Sequence, residues 1–398
     1  MGWWGNDTAV RFPNLGIEFS NLPRGIEIGS FQIAFYGAII ACGMLAGIAI
    51  ARWKARKTGQ DQEIYLDFAL WAIPLSVLGA RLYYVIFSWG DGWNFWEIFN
   101  LRRGGLAIYG GVIVAILSAI VYSKIKKLRI GLLADTGILG LILGQIMGRW
   151  GNFFNREVFG KYTDSLFAMQ IDLDCSSLSS DYTMPEALLR AQYVGKEDTL
   201  NNILEIRNKI VVLDDGHQYI QVHPTFLYES VWNILILLLM LWAWKRKKFN
   251  GEILLIYLAG YGFGRFFIEG IRTDQLYIWG TGLAVSQMLS ALLFFAAVTL
   301  LIVFRVRAVK SGEAQHVTME LCKVVKSVKT EDASEEKTEG ADENQAADSL
   351  DVENKEDKEE VIAENDEKAD RGGKNLKEDE FPDEEQTETK AEKEIDQE

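Results

Sequence analysis

The sequence predicts an all-α polytopic membrane protein: seven transmembrane helices, an external N-terminus, a cytoplasmic C-terminus, a small external head domain and a disordered acidic tail. Nearly half of its 398 residues are hydrophobic, yet the mean hydropathy is close to zero. The apolar residues must therefore be segregated from the polar ones. Apolar runs long enough to cross about 30 Å of hydrocarbon as helices recur along the chain. Clusters of Lys and Arg follow every second run.

Seven predicted spans follow one another along residues 31–305, which we expect to form the transmembrane body. Clusters of basic residues follow the first, third, fifth and seventh spans and are missing after the other three. By the positive-inside rule, the ends with clusters are cytoplasmic, so the N-terminus lies outside and the C-terminus inside. The predicted spans are Phe31–Ala51, Ile64–Trp89, Gly104–Ser123, Ile130–Phe154, Thr225–Trp244, Gly251–Gly270 and Thr281–Phe304.

Two segments outside the spans are predicted to be external. Residues 1–30 are expected to form an interfacial segment, with Trp3, Trp4 and Phe12 as anchors at the membrane surface. Residues 156–221 are too long and too polar for a turn, so they predict a small head domain inserted into the body. Within the head, Phe167–Leu173 is predicted as a strand and Pro185–Val194 as a helix.

The C-terminal segment, residues 306–398, is predicted to be a cytoplasmic disordered tail. Residues 331–398 contain 29 Asp and Glu against 9 Lys and Arg, a net charge of −20. The whole chain carries −14, so residues 1–330 carry about +6. A segment with so few large apolar residues cannot bury enough surface to offset its ordering entropy. Neither a nucleic-acid partner nor a metal or other cofactor is expected.

Polar residues from five spans are predicted to reach one depth in the membrane. Arg149 lies 20 residues beyond Arg129, which is about 30 Å along a helix and therefore close to the outer boundary. The same reasoning places residues of the first, third, fifth and sixth spans at that level. We therefore expect a single polar site at the outer headgroup level. Its members are Tyr36, Tyr109, Arg149, Asn152, His223, Arg265 and Glu269.

Each of these residues also has a structural explanation. An arginine at the end of a helix can extend its charge to the interface, and Tyr36 and Tyr109 can belong to the aromatic belt. Arg265 and Glu269 are one turn apart and can form a structural salt bridge. The remaining charges within spans can pair with one another, because an unpaired charge at bilayer depth costs several kcal/mol. These charges are Asp67, Arg81, Asp135 and Glu229.

The segment Gly148–Gly160, with the sequence GRWGNFFNREVFG, places five polar or charged side chains within thirteen residues at this depth. Cations and amides at the edge of a bilayer indicate a site for an anionic, lipid-like ligand. The segment resembles, position for position, the signature of the prolipoprotein diacylglyceryl transferase family. The resemblance covers about residues 20–305 and includes the supporting segments Ala34–Gly37, Gly79–Leu82, His223–Glu229 and Gly264–Arg272.

The resemblance implies an enzyme of the bacterial plasma membrane with its active site near the outer leaflet. The implied reaction, the first step of lipoprotein maturation, transfers the diacylglyceryl group of phosphatidylglycerol to the lipobox cysteine of a preprolipoprotein. The products are a thioether and glycerol phosphate. The implied catalytic residues are Arg149, Arg265, Glu269, Tyr109 and His223. The implied residues for phosphatidylglycerol are Arg149, Asn152, Asn155, Glu157, Gly160, Tyr36 and Arg265.

The sequence departs from the family pattern at Tyr109, where the best-known branch has a histidine with an assigned catalytic role. A neutral imidazole accepts a proton readily, whereas a phenol with a pKa near 10 does not. Tyr109 then positions the lipid, or another group is the base, or no strong base is needed. Glu157 and Glu269 either orient the arginines or accept the thiol proton, directly or through His223 or Tyr109.

The same charged residues within spans also suit two rival functions. A transporter of small anions or lipids also carries Arg and Glu within its spans, but usually near the midplane and often in inverted repeats. Here the polar set is predicted at the outer edge, and seven spans do not divide into paired halves. A purely structural scaffold leaves the cost of so many charges within spans unexplained. Conversion of a labelled lipobox peptide into a hydrophobic product separates the transferase from both.

Overall fold

In the part of the chain that the computed structural model describes, seven helices are long and apolar enough to cross a membrane. The structure describes residues 2–4, 9–88, 105–173, 179–194, 197–214, 216–273, 275 and 284–312. The predicted tail beyond residue 312 therefore lies outside the described residues. The spanning helices are α1 (Phe35–Lys57), α2 (Glu63–Phe87), α3 (Ile108–Ile125), α4 (Ile130–Asn155), α8 (Thr225–Trp244), α9 (Glu252–Gly270) and α10 (Val285–Lys310).

The predicted number of spans is confirmed, and the boundaries differ mainly at the two outer spans. The first helix begins at Phe35, because residues 31–34 form a strand that pairs with residues 25–28. The last helix continues to Lys310, several residues past the predicted end. The fourth helix ends where Arg156 adopts a left-handed conformation (φ 56°, ψ 43°), which turns the chain out of the bundle.

The spans pack as an antiparallel bundle in which α4 is central, in contact with α1, α8 and α9. Small residues allow the closest approach. A Cβ added to Gly47 of α1 would lie 2.7 Å from the Gly140 carbonyl oxygen of α4, and one on Gly140 would lie 2.4 Å from the Gly47 oxygen. Transmembrane helices associate through close contacts of this kind, because the lipid supplies no hydrophobic driving force.

Outside the spans, the described residues form two antiparallel sheets, a 3-10 helix (Pro13–Leu15) and three short α-helices. The first sheet has the order β1 (Gly2–Trp4), β4 (Gly25–Ile28), β5 (Phe31–Ala34). The second has the order β3 (Ile17–Phe19), β2 (Val10–Phe12), β6 (Met169–Asp172), β8 (Gln218–Val222), β7 (Val211–Val212). The short helices are α5 (Ser179–Thr183), α6 (Glu186–Gln192) and α7 (Glu197–Arg207).

The second sheet joins the N-terminal segment to the head insertion, because β2 pairs with β6. The strand and the helix predicted within the head are both confirmed, with shorter bounds. The prediction that Phe12 is a membrane anchor is wrong: Phe12 is 7% exposed and packs in the core of the head. That core also contains Phe153 of α4 and Phe226 of α8, so the head rests directly on the bundle. The side chains of Trp3 and Trp4 lie outside the described residues.

Candidate active site

Glu229 is the centre of a group of charges at the end of the bundle where α4 and α9 end and α8 begins. It lies one turn into α8 and is 4% exposed. Arg149 near the end of α4 places Nη2 2.7 Å from Glu229 Oε2. Arg265 of α9 donates from Nη1 to both carboxylate oxygens at 3.3 Å. The two arginines predicted to share one site therefore meet on a single buried carboxylate.

Glu269 is a second carboxylate in the same group. Arg265 Nη2 lies 2.7 Å from Glu269 Oε2, because residues four apart share one face of α9. Arg272 lies between both acids, with Nε 3.8 Å from Glu269 Oε2 and Nη1 3.9 Å from Glu229 Oε1. We call Arg149, Glu229, Arg265, Glu269 and Arg272 the charge cluster.

Two polar side chains hold Glu269 in place from outside the cluster. The hydroxyl of Ser286, in the first turn of α10, donates to Glu269 Oε1 at 2.6 Å. Gln275 donates through Nε2 to the backbone oxygen of Glu269. A carboxylate fixed in this way presents a defined partner to Arg265, so the start of α10 helps to set the geometry of the cluster.

The charge cluster carries one net positive charge, since it contains three guanidinium groups and two carboxylates. A guanidinium has five N–H donors in a planar fork, so pairing with one carboxylate is compatible with donation to a second acceptor. Arg149 and Arg265 retain 20% and 19% side-chain exposure, whereas Glu229 is buried beneath them. The arrangement suits a monoanion that approaches from the exposed side of the arginines.

Gly160 lies where three segments of the chain cross above the cluster. Its N–H donates to the His223 oxygen at 2.9 Å, and Lys161 N–H donates to the Ile271 oxygen at 2.7 Å. A Cβ at Gly160 would lie 2.7 Å from His223 Cβ and 2.8 Å from the Ile271 oxygen. A side chain would therefore separate the start of α8 from the end of α9, which carry Glu229 and Arg272. The structure gives Gly160 this packing role, and its contact with lipid stays a prediction.

Tyr36 lies at the start of α1 against the end of α4. A Cβ added to Gly151 would be 2.7 Å from the Tyr36 ring, so only glycine allows this approach. The charges of Glu157 and Arg149 are both near enough to act on the Tyr36 hydroxyl. Tyr36 and Arg149 therefore lie in one region, as predicted.

The polar residues that end α4 lie beside Arg149. Asn152 is buried, and its backbone oxygen accepts from Glu157 N–H at 3.1 Å. The amide of Asn155 donates to Glu157 Oε1 at 3.4 Å. Glu157 itself is exposed. The end of α4 therefore brings Asn152, Asn155 and Glu157 together within eight residues of Arg149 along the chain.

His223 stands immediately before α8, outside the spans. Its Nδ1 lies 3.2 Å from the hydroxyl of Tyr228, the residue next to Glu229. Burial lowers the pKa of His223, because desolvation disfavours the charged imidazolium. The ring is therefore neutral at neutral pH, the state in which an imidazole accepts a proton.

Tyr109 occupies a different position from the rest of the predicted set. It lies in the first turn of α3, is 48% exposed, and has the ring of Tyr83 on α2 at a centroid distance of 6.5 Å. Within the described ranges, no ion pair or hydrogen bond links it to the charge cluster. The structure thus gathers Arg149, Arg265 and Glu269, and leaves Tyr109 on the neighbouring helix pair.

The part of the chain that contains this site is similar to known proteins. The sequence profile of the prolipoprotein diacylglyceryl transferase family matches residues 23–303. The chain belongs to this family. Together with the seven apolar helices, membership makes the chain a multi-pass membrane protein.

Several curated relatives carry the name phosphatidylglycerol–prolipoprotein diacylglyceryl transferase. The protein of that name from Listeria innocua is 40% identical over 287 residues, which cover 72% of this chain and 90% of the relative. The one from Finegoldia magna is 37% identical over 289 residues, covering 72% and 97%. The transferase numbered 1 of Clostridium perfringens is 36% identical over 290 residues, covering 72% and 96%.

Three residues of this family member join the site without having been predicted as site residues: Glu229, Arg272 and Ser286. Glu229 could have been predicted as a site residue, because a carboxylate within an apolar span requires a cation. Arg149 and Arg265, which were predicted near the same end of the spans, are such cations. Arg272 lies one turn beyond Glu269, at a spacing that favours pairing. Ser286 carried no signal, since a serine in an apolar helix is common.

The interpretation that the remaining charges within spans pair with one another is wrong. Each has a partner outside this set, because three of the four are carboxylates and the one cation, Arg81, donates to a backbone oxygen. Asp67 Oδ2 is 4.0 Å from Lys126 Nζ, and Arg81 donates to the Gly105 oxygen at 3.1 Å. Asp135 pairs with Lys247 at 3.2 Å, and Glu229 pairs with the arginines of the charge cluster.

Proposed function

We propose that this chain transfers the diacylglyceryl group of phosphatidylglycerol to the thiol of the lipobox cysteine of a preprolipoprotein. The sulfur forms a bond to a glyceryl carbon, while the bond between that carbon and the phosphate oxygen breaks. The electron pair leaves with the oxygen as glycerol phosphate, and the thiol proton passes to a base. The names of its relatives support these substrates, and membership of the family supports the reaction class.

The observation that carries the proposal is the net positive charge of the charge cluster. The phosphodiester of phosphatidylglycerol carries one negative charge, and it gains more as the carbon–oxygen bond breaks. Arg149 and Arg265 bind its oxygens, and cations already fixed in place stabilise the leaving group without reorganisation. Glu229 and Glu269 provide that fixation, so the two carboxylates act through the arginines.

The remaining predicted residues are assigned to the lipid and to the proton. Asn152 and Asn155 donate to glycerol or phosphate oxygens, Glu157 and Gly160 border the lipid, and Tyr36 packs beside it. Glu157, Glu269, His223 and Tyr109 are the candidate proton acceptors. The lowered pKa of His223 favours this side chain, because it is neutral at the pH where a thiol must lose its proton.

The proposed location is the plasma membrane of a bacterium, with the cluster near the outer leaflet. The cluster lies where α4 ends, whereas α1, α3, α8 and α10 end in basic residues at the opposite end of the bundle. The positive-inside rule makes the basic end cytoplasmic. The tail, residues 306–398, is then cytoplasmic and is assigned no part in the reaction.

Replacement of Arg149 tests the proposal directly. Arg149→Gln keeps a hydrogen-bonding side chain of similar length and removes the charge. Thioether formation on a labelled lipobox peptide is measured in liposomes that contain phosphatidylglycerol. We expect a loss of about 10²–10³-fold, the usual cost of one preorganised group that stabilises a developing negative charge.

The matched control is Arg190→Gln, which removes an arginine whose ion pair with Glu186 lies on the surface of the head. Its activity should equal that of the wild type. Near-normal turnover by Arg149→Gln would remove the phosphate role from Arg149. Wild-type protein that moves lipid between leaflets without forming any thioether would instead make the chain a transporter.

A further inference from the structure

Lys54 lies at the opposite end of the bundle from the charge cluster, in the last turn of α1. It is only 9% exposed. Within the described ranges, no carboxylate forms an ion pair with its ammonium group. Burial of a cation without a counter-charge is strongly unfavourable, so the environment of Lys54 requires a compensating partner.

Aromatic rings give Lys54 part of this compensation. Its Nζ lies 4.3 Å from the ring centroid of Trp244 and 5.9 Å from that of Trp53. Cation–π contacts of this kind offset only part of the free energy that burial of the charge costs. Trp53 is 48% exposed.

The other charges near Lys54 increase the imbalance. Lys57, Lys245 and Lys247 all lie close enough for their charges to act on Lys54. Of the buried acids at this end, Asp135 is paired with Lys247. The other, Glu252, accepts from Lys248 N–H at 2.6 Å and lies 3.7 Å from Arg305. The surplus of positive charge therefore remains around Lys54.

Trp244 adds a second unsatisfied group at the same place. Its indole Nε1–H is buried and has no hydrogen-bond partner among the described residues. An indole nitrogen is a donor only, and buried donors in folded proteins are nearly always paired. A cation without an anion and a donor without an acceptor thus share one aromatic ring, and one anionic oxygen ligand satisfies both.

We propose that the phosphate of a phospholipid headgroup binds at Lys54 and Trp244, in the leaflet at the basic end of the bundle. The site faces lipid beside Trp53, and basic sites between transmembrane helices on this side suit anionic headgroups. It is separate from the charge cluster. Tyr36 and Lys54 are 18 residues apart on one helix, which is about 27 Å along its axis.

The test is a titration of the purified full-length protein in detergent with short-chain phosphatidic acid, which carries the phosphate but no further headgroup. The midpoint of thermal unfolding is measured. At a lipid concentration about ten times Kd, binding should raise the midpoint by about 3 °C. Phosphatidylcholine and inorganic phosphate, titrated in parallel, should each give a clearly smaller shift.

Four variants assign the shift to this site. Lys54→Gln should abolish most of it, Lys54→Arg should keep it, and Trp244→Phe should reduce it because the ring stays while the donor is lost. Lys124→Gln is the matched control, since it removes an exposed charge from the same end of the bundle on α3, and it should behave like the wild type. Each titration is repeated with proteins that also carry the substitution Arg149→Gln, so that lipid binding at the charge cluster does not contribute to the shift.

An equal shift in wild type and Lys54→Gln would overturn the proposal. If Lys54→Gln fails to fold, Trp244→Phe decides, and an undiminished shift in that variant would also overturn it. A full shift with inorganic phosphate alone would show a free-anion site and contradict the assignment to a lipid.

Discussion

The two ends of the bundle both bury carboxylates against cations, but in different proportions. At the basic end, Asp135 meets one cation, Lys247, and the two residues are 0% and 1% exposed. Asp135 also accepts from Gly251 N–H at 2.9 Å and Leu254 N–H at 3.0 Å, which satisfies the first turn of α9. Lys247 also donates to Asn250 Oδ1 at 3.0 Å, so this carboxylate and its cation both have partners within the protein.

The charge cluster at the other end is neither balanced nor sealed. Three guanidinium groups surround two carboxylates, and Arg149 and Arg265 are about one-fifth exposed. The comparison shows that a buried carboxylate alone does not indicate a site, because both ends contain one. The surplus of positive charge and the exposed side of the arginines distinguish a place that can accept an anion from a place that only holds helices together.

The largest expected effect comes from breaking the balanced pair. Asp135→Asn leaves Lys247 charged and buried without a counter-ion, so the free energy of unfolding should fall by about 3–5 kcal/mol. Unfolding in detergent measures this change. Transfer activity per folded molecule should be unaltered, because the pair lies at the end of the bundle remote from the arginines.

A double variant separates charge from packing in that result. Asp135→Asn combined with Lys247→Met removes both charges and should recover most of the lost stability, as replacement of a whole buried pair often does. If Asp135→Asn alone left stability unchanged, the pair would not be the structural contact that its geometry indicates.

The spans and the meeting of two arginines could both be predicted from the sequence. Both depend only on the distances between residues along the chain. The length of an apolar run fixes a span, and the helical rise fixes depth, so Arg149 and Arg265 were placed together correctly. The helix Thr225–Trp244 has the bounds that were predicted. These inferences need no knowledge of which helix neighbours which.

The parts that could not be predicted depend on helix neighbours and strand pairing. Tyr109 shares the predicted depth, but α3 packs against α2 and not into the cluster. Phe12 is an aromatic residue in an external segment, and only the pairing of β2 with β6 makes it part of a core. The partner of Ser286 is on another helix, and depth alone does not reveal it.

A smaller effect tests how firmly the cluster is held. Ser286→Ala removes the hydrogen bond to Glu269 Oε1, and bonds to charged groups contribute about 1.5–3 kcal/mol. Transfer activity should therefore fall by about 10- to 100-fold, through misplacement of Arg265. Initial rates over a range of phosphatidylglycerol concentrations measure the change in KM and kcat.

Ser290→Ala is the control on the same helix, since the Ser290 hydroxyl donates to the Ser286 backbone oxygen at 2.6 Å and does not touch the cluster. It should keep wild-type kinetics. Ser286→Thr keeps the hydroxyl and should restore most activity. Full activity in Ser286→Ala would show that Glu269 is positioned without α10.

The smallest expected effect is a change of stability with pH that depends on His223, the residue between the head and the charge cluster. Because burial lowers the pKa of His223, the unfolded protein binds the proton more tightly than the folded one. The neutral His223 side chain therefore contributes its full stabilisation at pH values above its pKa in the unfolded protein, which is about 6.5. This stabilisation is lost as the pH falls through its pKa in the folded protein. Compared with His223→Asn, which places an amide near Tyr228, the wild-type melting midpoint should drop more between pH 7 and pH 5. Parallel pH curves for the two proteins would show that the imidazole is as free to ionise in the folded state as in the unfolded one.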